Sequence, residues 1–228
     1  MKIAIIPARK GSKRCPEKNI SLINGLPLYQ RAINTALKSI EFEKIIVTTN
    51  DEFIIDNIES NPKVELDIRD EQLSNSTSTL IDVVRGVIIK KKLSKEDVIC
   101  LMTVTNPLTE YTDIKGGMKL YRDQLKKNTV ISVCEMEYPI ELTWKLDKTI
   151  NKLYNTHNIE STRKQDFTPS YRWNDSFIID SVESFMDTNR NNFGYNPTPY
   201  IMPPERSFFI DYPWQLEIIK MLIQNKTK

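Results

Sequence analysis

The sequence predicts an α/β protein built on an open, mostly parallel, doubly wound sheet, with one excursion inserted late in the chain. Three observations carry that prediction: apolar, β-branched runs of strand length, helical periodicity between them, and a composition able to bury a core. The runs at residues 3–6, 45–48, 98–102 and 130–133 are continuous rather than alternating, as expected of strands covered on both faces. Between the first two, Leu28, Ala32, Ile33, Ala36, Leu37 and Ile40 share one helical face behind Pro27, which a first helical turn tolerates, so the segment reads as a βαβ unit. Further helices are predicted over 78–91 and 113–125, so strands and helices alternate to about residue 135. Past Cys134 the periodicity stops: residues 135–168 hold Pro139, Trp144 and a polar Asn/Lys stretch, and read as an excursion from the core. The sheet resumes over 176–179, followed by a short helix, a Pro/Asn-rich loop over 191–204 and a final helix over 214–223. The chain is thus read as one domain, 1–228, with an inserted element at about 136–172.

Composition supports this and excludes several classes. At 228 residues, with 39% hydrophobic and 27% charged residues, the chain is long enough for a core without disulfide or metal staples and unlike disordered or fibrous sequences. A net charge of +2 is too small for wholesale nucleic-acid or membrane-surface binding, so neither partner is predicted. Cys15, Cys100 and Cys134 form neither a disulfide framework nor a C-x-x-C pair, and Cys100 and Cys134 read as core residues. The apolar opening is too short for a leader or a membrane span, which predicts a cytoplasmic protein. His157 is the only histidine, so the chemistry is expected to run on Lys, Arg, carboxylates and backbone amides.

Positive charge is concentrated in one place. Residues 9–18 carry a net +4, against −2 for the rest of the chain. This loop follows the first strand, at the strand end where open α/β sheets bind ligands and loop amides face anions. Gly11 lets the backbone approach a phosphate closely, Ser12 offers a hydroxyl, and Lys13 and Lys18 bring mobile charges. The alternative is a solvated charged loop. The segment matches neither G-x-x-x-x-G-K-[ST] nor G-x-G-x-x-G, which weakens P-loop kinase and Rossmann dehydrogenase readings. RNA binding stays open, although no aromatic residue interleaves with the cations to stack bases.

The run Ile6-Pro7-Ala8-Arg9-Lys10-Gly11-Ser12-Lys13-Arg14, with Pro16 and Lys18-Asn19-Ile20, resembles the opening signature of the acylneuraminate cytidylyltransferases, the CMP-sialic acid synthetases. Further matches follow in order: Asn24-Gly25-Leu26-Pro27-Leu28, Ile45 to Thr49, Arg69 with Leu73 and Thr79, Thr105-Asn106-Pro107-Leu108, and Arg163-Lys164-Gln165-Asp166 before Tyr171. The Arg163 stretch looks especially like the branch that activates pseudaminic acid. The resemblance implies a nucleotide-diphospho-sugar transferase-like fold, a homodimer, and Mg²⁺-dependent transfer of CMP from CTP to the anomeric hydroxyl of a nonulosonic acid, with release of pyrophosphate. It implies nucleotide binding by Arg9, Gly11, Ser12, Lys13, Lys18, Asn19, Arg69 and Thr79. It places Thr103, Arg163, Gln165, Arg172 and Asn174 near the nine-carbon sugar acid, and gives catalytic parts to Arg9, Lys13, Lys18 and Asp211.

The chain departs from that family where Asp-x-Asp holds Mg²⁺: here the tract is Phe209-Ile210-Asp211, so Asp211 alone is implied as a metal ligand. One carboxylate with substrate phosphates and waters can suffice for Mg²⁺. Asp211 is alternatively an N-cap of the final helix, and Arg163 alternatively an ion-pair partner or dimer contact. Asn50, Ser76 and Thr103-Val104 also differ from the family pattern, and Thr103 offers a shorter reach than an amide. A CMP-Kdo synthetase-like or other sugar nucleotidyltransferase, or a catalytically impaired nucleotide-binding subunit, remain as competing readings.

Overall fold

The computed structural model describes residues 1–74, 78–124, 128–157, 159, 161–190, 193–194 and 196–225. Its strands are β1 (Lys2–Pro7), β2 (Leu22–Ile23), β3 (Leu26–Pro27), β4 (Lys44–Thr49), β5 (Val64–Ile68), β6 (Val98–Met102), β7 (Val130–Glu135), β8 (Lys145–Asp147), β9 (Lys152–Tyr154), β10 (Tyr171–Ser181) and β11 (Thr198–Ile201). The helices are α1 (Leu28–Ser39), α2 (Glu52–Asn57), α3 (Leu80–Lys91), α4 (Tyr111–Asp123), α5 (Val182–Met186) and α6 (Pro213–Asn225).

Seven strands form the main sheet in the order β11-β7-β10-β6-β1-β4-β5. All neighbours are parallel except β10, which runs antiparallel to both β6 and β7. The alternating faces of β1 explain the double winding. Ala4 and Ile6 point into a core shared with Ile33 of α1, Ile114 of α4 and Ile219 of α6, while Ile3 and Ile5 pack on Val84 of α3 and Phe185 of α5. From β1 the chain moves first to β4 and β5, then crosses back to β6 on the other side, so the topological switch point lies between β1 and β6.

The four expected strands and the longer helices form. The helix expected over 113–125 starts earlier, at Tyr111, and its expected last residue lies outside the described ones. Two edge strands depart from the reading. β5 alternates Val64, Leu66 and Ile68 with Glu65 and Asp67, whose carboxylates pair with Lys44, Lys90 and Lys91, so its charged residues disguised it. β11 lies within the expected Pro/Asn-rich loop, because Pro199 is tolerated on an edge strand. The excursion carries a β8–β9 hairpin, and β10 already begins at Tyr171, inside the expected inserted element. Cys100 and Cys134 are buried, as expected of core residues, and His157 is exposed. Among the described residues no helix is long and apolar enough to cross a membrane.

Candidate active site

The basic loop is pinned to the sheet at both ends. Ala8 N–H donates to the Thr48 carbonyl at 3.0 Å, Thr49 Oγ1 donates back to the Ala8 carbonyl at 2.5 Å, and Asn19 Nδ2 donates to the Arg9 carbonyl at 2.9 Å. Asn50 Oδ1 accepts from Lys10 N–H at 2.8 Å, so this departure from the family pattern caps the loop. Gly11 takes φ +80°, a left-handed turn that glycine enters without steric cost, while the space around its missing side chain is open. The turn needs glycine, and the space beside it leaves the backbone open to approach.

The loop delivers its last cation inward. Lys18 is buried, donates from Nζ to the Ile210 carbonyl at 2.7 Å, and stands 3.7 Å from Asp211 Oδ1. Burial holds its ammonium below the usual lysine range, against the pull of Asp211 and Asp175. Arg69, also buried, donates from Nη2 to the Thr48 carbonyl at 2.8 Å. Burial, then the charge of Arg9, lowers it to about 10, so it is still cationic at neutral pH. Arg9 donates to the Ser74 carbonyl at 3.4 Å.

Arg9, Ser12, Lys18, Asn19 and Arg69 line one cavity of about 200 Å³, together with Thr103 to Thr105 and Asp175. It opens at the ends of β1 and β6, on the switch point. A larger groove of about 470 Å³ runs between α1 and the start of α4, past Arg31, Lys38 and Tyr111; it touches the motif residues Leu26, Pro107 and Leu108 but none of the candidate catalytic, nucleotide, sugar or metal residues.

The other sequence candidates divide. Lys13 is exposed and outside the cavity lining. Thr79 is not in the lining either: its hydroxyl accepts from Asp82 N–H at 3.1 Å and its N–H donates to Asp82 at 2.9 Å, a capping box that starts α3. Asn174 is fully buried and holds the core together, donating to Ser207 Oγ at 3.0 Å while its carbonyl accepts from Asn106. Arg172 donates to the Ser207 carbonyl at 3.0 Å and stacks over the Phe209 ring, 5.7 Å from its centroid. Arg163 and Gln165 are exposed on the excursion, where Arg163 faces Asp166 at 3.9 Å and the Gln165 side-chain oxygen, so the fold does not bring them to this cavity. Ser76 lies outside the described residues.

The Asp211 carboxylate is not spent on capping the final helix. The N–H groups of Asp211 and Tyr212 are taken by Gln215 Oε1 at 2.7 and 2.9 Å, so Gln215 rather than Asp211 caps α6. The Asp211 carboxylate instead meets Arg14 at 3.0 Å and Lys18. A Mg²⁺ ion needs hard oxygen donors: Asp211 offers one carboxylate, Phe209 none, and no group of three or more metal-ligating side chains converges among the described residues. That donor set fits an ion carried chiefly by substrate phosphates. The residue that sequence reasoning missed is Asp175, because an acid inside a strand looks solvent-facing until the strand's bulge is known.

A cationic cavity at the switch point of an open, mostly parallel sheet defines an α/β protein with a site suited to an anionic ligand. The sequence profile of the cytidylyltransferase family matches residues 3–227, and the chain belongs to that family. It is 27% identical over 225 residues to the pseudaminic acid cytidylyltransferase of Campylobacter jejuni serotype O:2, covering 96% of this chain and 95% of that protein. It is 27% identical over 226 residues to the N-acylneuraminate cytidylyltransferase of Escherichia coli O18:K1:H7, covering 99% of this chain and 53% of that protein. A solved CMP:2-keto-3-deoxy-manno-octonic acid synthetase complexed with CTP matches at TM-score 0.71 and 15% identity over 99% of both chains, a likeness of fold.

Proposed function

We propose that this cytidylyltransferase transfers CMP from CTP to the anomeric hydroxyl of a nonulosonic acid, pseudaminic acid first among candidates, and releases pyrophosphate. The observation that carries the reading is the placement of Arg9, Ser12 and Lys18 around one cavity at the switch point. Attack on the α-phosphate builds negative charge on the departing pyrophosphate, and cations fixed around a small cavity stabilise it without reorganising. No protein nucleophile is needed. Arg69 and Asn19 shape the nucleotide end, with Lys13 at the rim. Asp211 would hold Mg²⁺ jointly with the phosphates, and the ion would supply charge neutralisation.

The acceptor half is completed, in this reading, by a second copy of the chain. The excursion exposes Trp144, Leu146, Ile150, Leu153 and Tyr154, with Leu146 opposite Leu153 across the hairpin, an apolar patch unusual on a monomer. A homodimer through this patch would present Arg163 and Gln165 to a partner's acceptor site, where a guanidinium grips a carboxylate bidentately. The protein then works in the cytoplasm.

The test is incubation with CTP, Mg²⁺ and pseudaminic, N-acetylneuraminic or 2-keto-3-deoxy-manno-octonic acid, scored by pyrophosphate release. Turnover with a nonulosonic acid is expected; turnover with the eight-carbon acid alone would instead favour a Kdo-type enzyme. One observation favours a second reading, a nucleotide-binding subunit with impaired catalysis: Phe209 puts a ring, not an oxygen, beside Arg172. Under that reading CTP binds without turnover, and Phe209→Asp raises Mg²⁺-dependent activity about tenfold or more.

A further inference from the structure

Asp175 has an unusual backbone for a strand residue. It sits inside β10 at φ +56°, the left-handed region that glycine enters freely and that Asp and Asn enter more readily than other residues carrying a Cβ. Here the register of β10 against β7 shifts between Trp173 and Ile178, and this bulge sends the Asp175 side chain out of the ladder into the cavity of Arg9, Ser12 and Lys18. The loop after β6 holds it there. Thr103 Oγ1 donates to the Asp175 carbonyl, and Thr105 Oγ1 donates to Asp175 Oδ2. Among the described residues Oδ1 takes no hydrogen bond. The charged groups facing the carboxylate are Lys18 and Asp211, with Arg9 on the same cavity wall; burial, helped by the charge of Asp211, outweighs the Thr105 hydrogen bond and the Lys18 charge and raises its affinity for a proton. A carboxylate kept at a left-handed position on a cavity wall, where glycine would fit without steric cost, points to a use for the side chain.

We propose that Asp175 is a catalytic residue of the transfer reaction, the base that takes the proton of the acceptor's hydroxyl. This rests on the function proposed above. The acceptor oxygen forms its bond to the α-phosphorus, and the bond from that phosphorus to the bridging oxygen breaks with its electron pair leaving on pyrophosphate. The hydroxyl proton passes to Asp175 Oδ1, while Arg9, Ser12 and Lys18 take up the charge on the leaving group. The cavity thus has an anion-stabilising wall and a proton-accepting wall.

Two variants separate this role from a structural one. Asp175→Gly relaxes the left-handed position, and Asp175→Asn tolerates it while keeping the shape. Both are expected to bind CTP within threefold of the parent by calorimetry, and Asp175→Gly to unfold at or above the parent's temperature. Both are expected to lose about 10² to 10⁴-fold in kcat, with the acid limb of the kcat–pH profile gone. Either variant turning over within threefold of the parent, with that limb intact, overturns the role of Asp175 alone. So does recovery of kcat at high Mg²⁺, which would make the carboxylate a metal ligand. A parent that binds CTP yet releases pyrophosphate with no acid tested overturns the proposed function and this role together.

Discussion

Two cation-bearing loops in this chain meet opposite fates. Residues 9–18 run straight off a buried central strand and are tied to β4 by hydrogen bonds at 3.0 and 2.5 Å, so their last lysine is carried into the interior. The tract around Arg163 hangs from an excursion whose own apolar residues face outward, and among the described residues its guanidinium meets local partners, Asp166 and Gln165. Charge alone does not distinguish them; attachment to a strand end does. A cation held by the sheet has its position fixed before any ligand arrives, whereas one on the excursion needs another surface to give it a position.

The strongest way to break this contrast is at Lys18. Lys18→Ala is expected to lower kcat by about 10²-fold or more, since one pre-positioned donor to a developing anion is worth that much. The fold is expected to survive, as leaving the buried Ile210 carbonyl without a partner costs about 1–3 kcal/mol. Near-normal kinetics with the variant folded, as judged by circular dichroism, would leave the loop without a catalytic part.

The excursion is probed next. Leu153→Asp places a charge on the apolar hairpin and is expected to weaken self-association about 30-fold, read by sedimentation equilibrium, which corresponds to a central contact of roughly 2 kcal/mol. An unchanged association state would remove the hairpin from the interface. The smallest effect belongs to Thr79. Thr79→Ala is expected to cost about 1 kcal/mol in urea unfolding and leave CTP affinity unchanged, because its hydroxyl caps α3. A tenfold loss of CTP affinity would return Thr79 to the nucleotide. The cap also has a pH signature: the Thr79 N–H, then its hydroxyl, hold the Asp82 carboxyl below its usual range. Its contribution is therefore present above that range and lost as pH falls through the lowered value, and Thr79→Ala, which removes the hydroxyl but keeps the N–H, lessens this dependence without abolishing it.

Much of the fold was legible because its central strands are buried on both faces and read as unbroken apolar runs: β1, β4, β6 and β7 were all found this way. The edges were not, since β5 spends alternate positions on charged pairs and β11 contains a proline. In the site, Arg9, Ser12, Lys18, Asn19 and Arg69 converge on one cavity, as the resemblance implied. Asn174 and Thr79 do not, because their short polar side chains are consumed by the backbone and core around them. Asp175 escaped notice for a geometric reason: period-two reasoning assigns each strand residue to a face, and a bulge cancels that assignment.

The bond from Lys18 to the Ile210 carbonyl joins residues 192 apart in sequence. A chain emerging from the ribosome makes its basic loop at once but has to wait for almost all of the remaining translation before that lysine finds its seat. Until then the nascent protein carries the cations of a nucleotide pocket without the pocket, and competence for CTP arrives in a single late step, when the C-terminal tract docks.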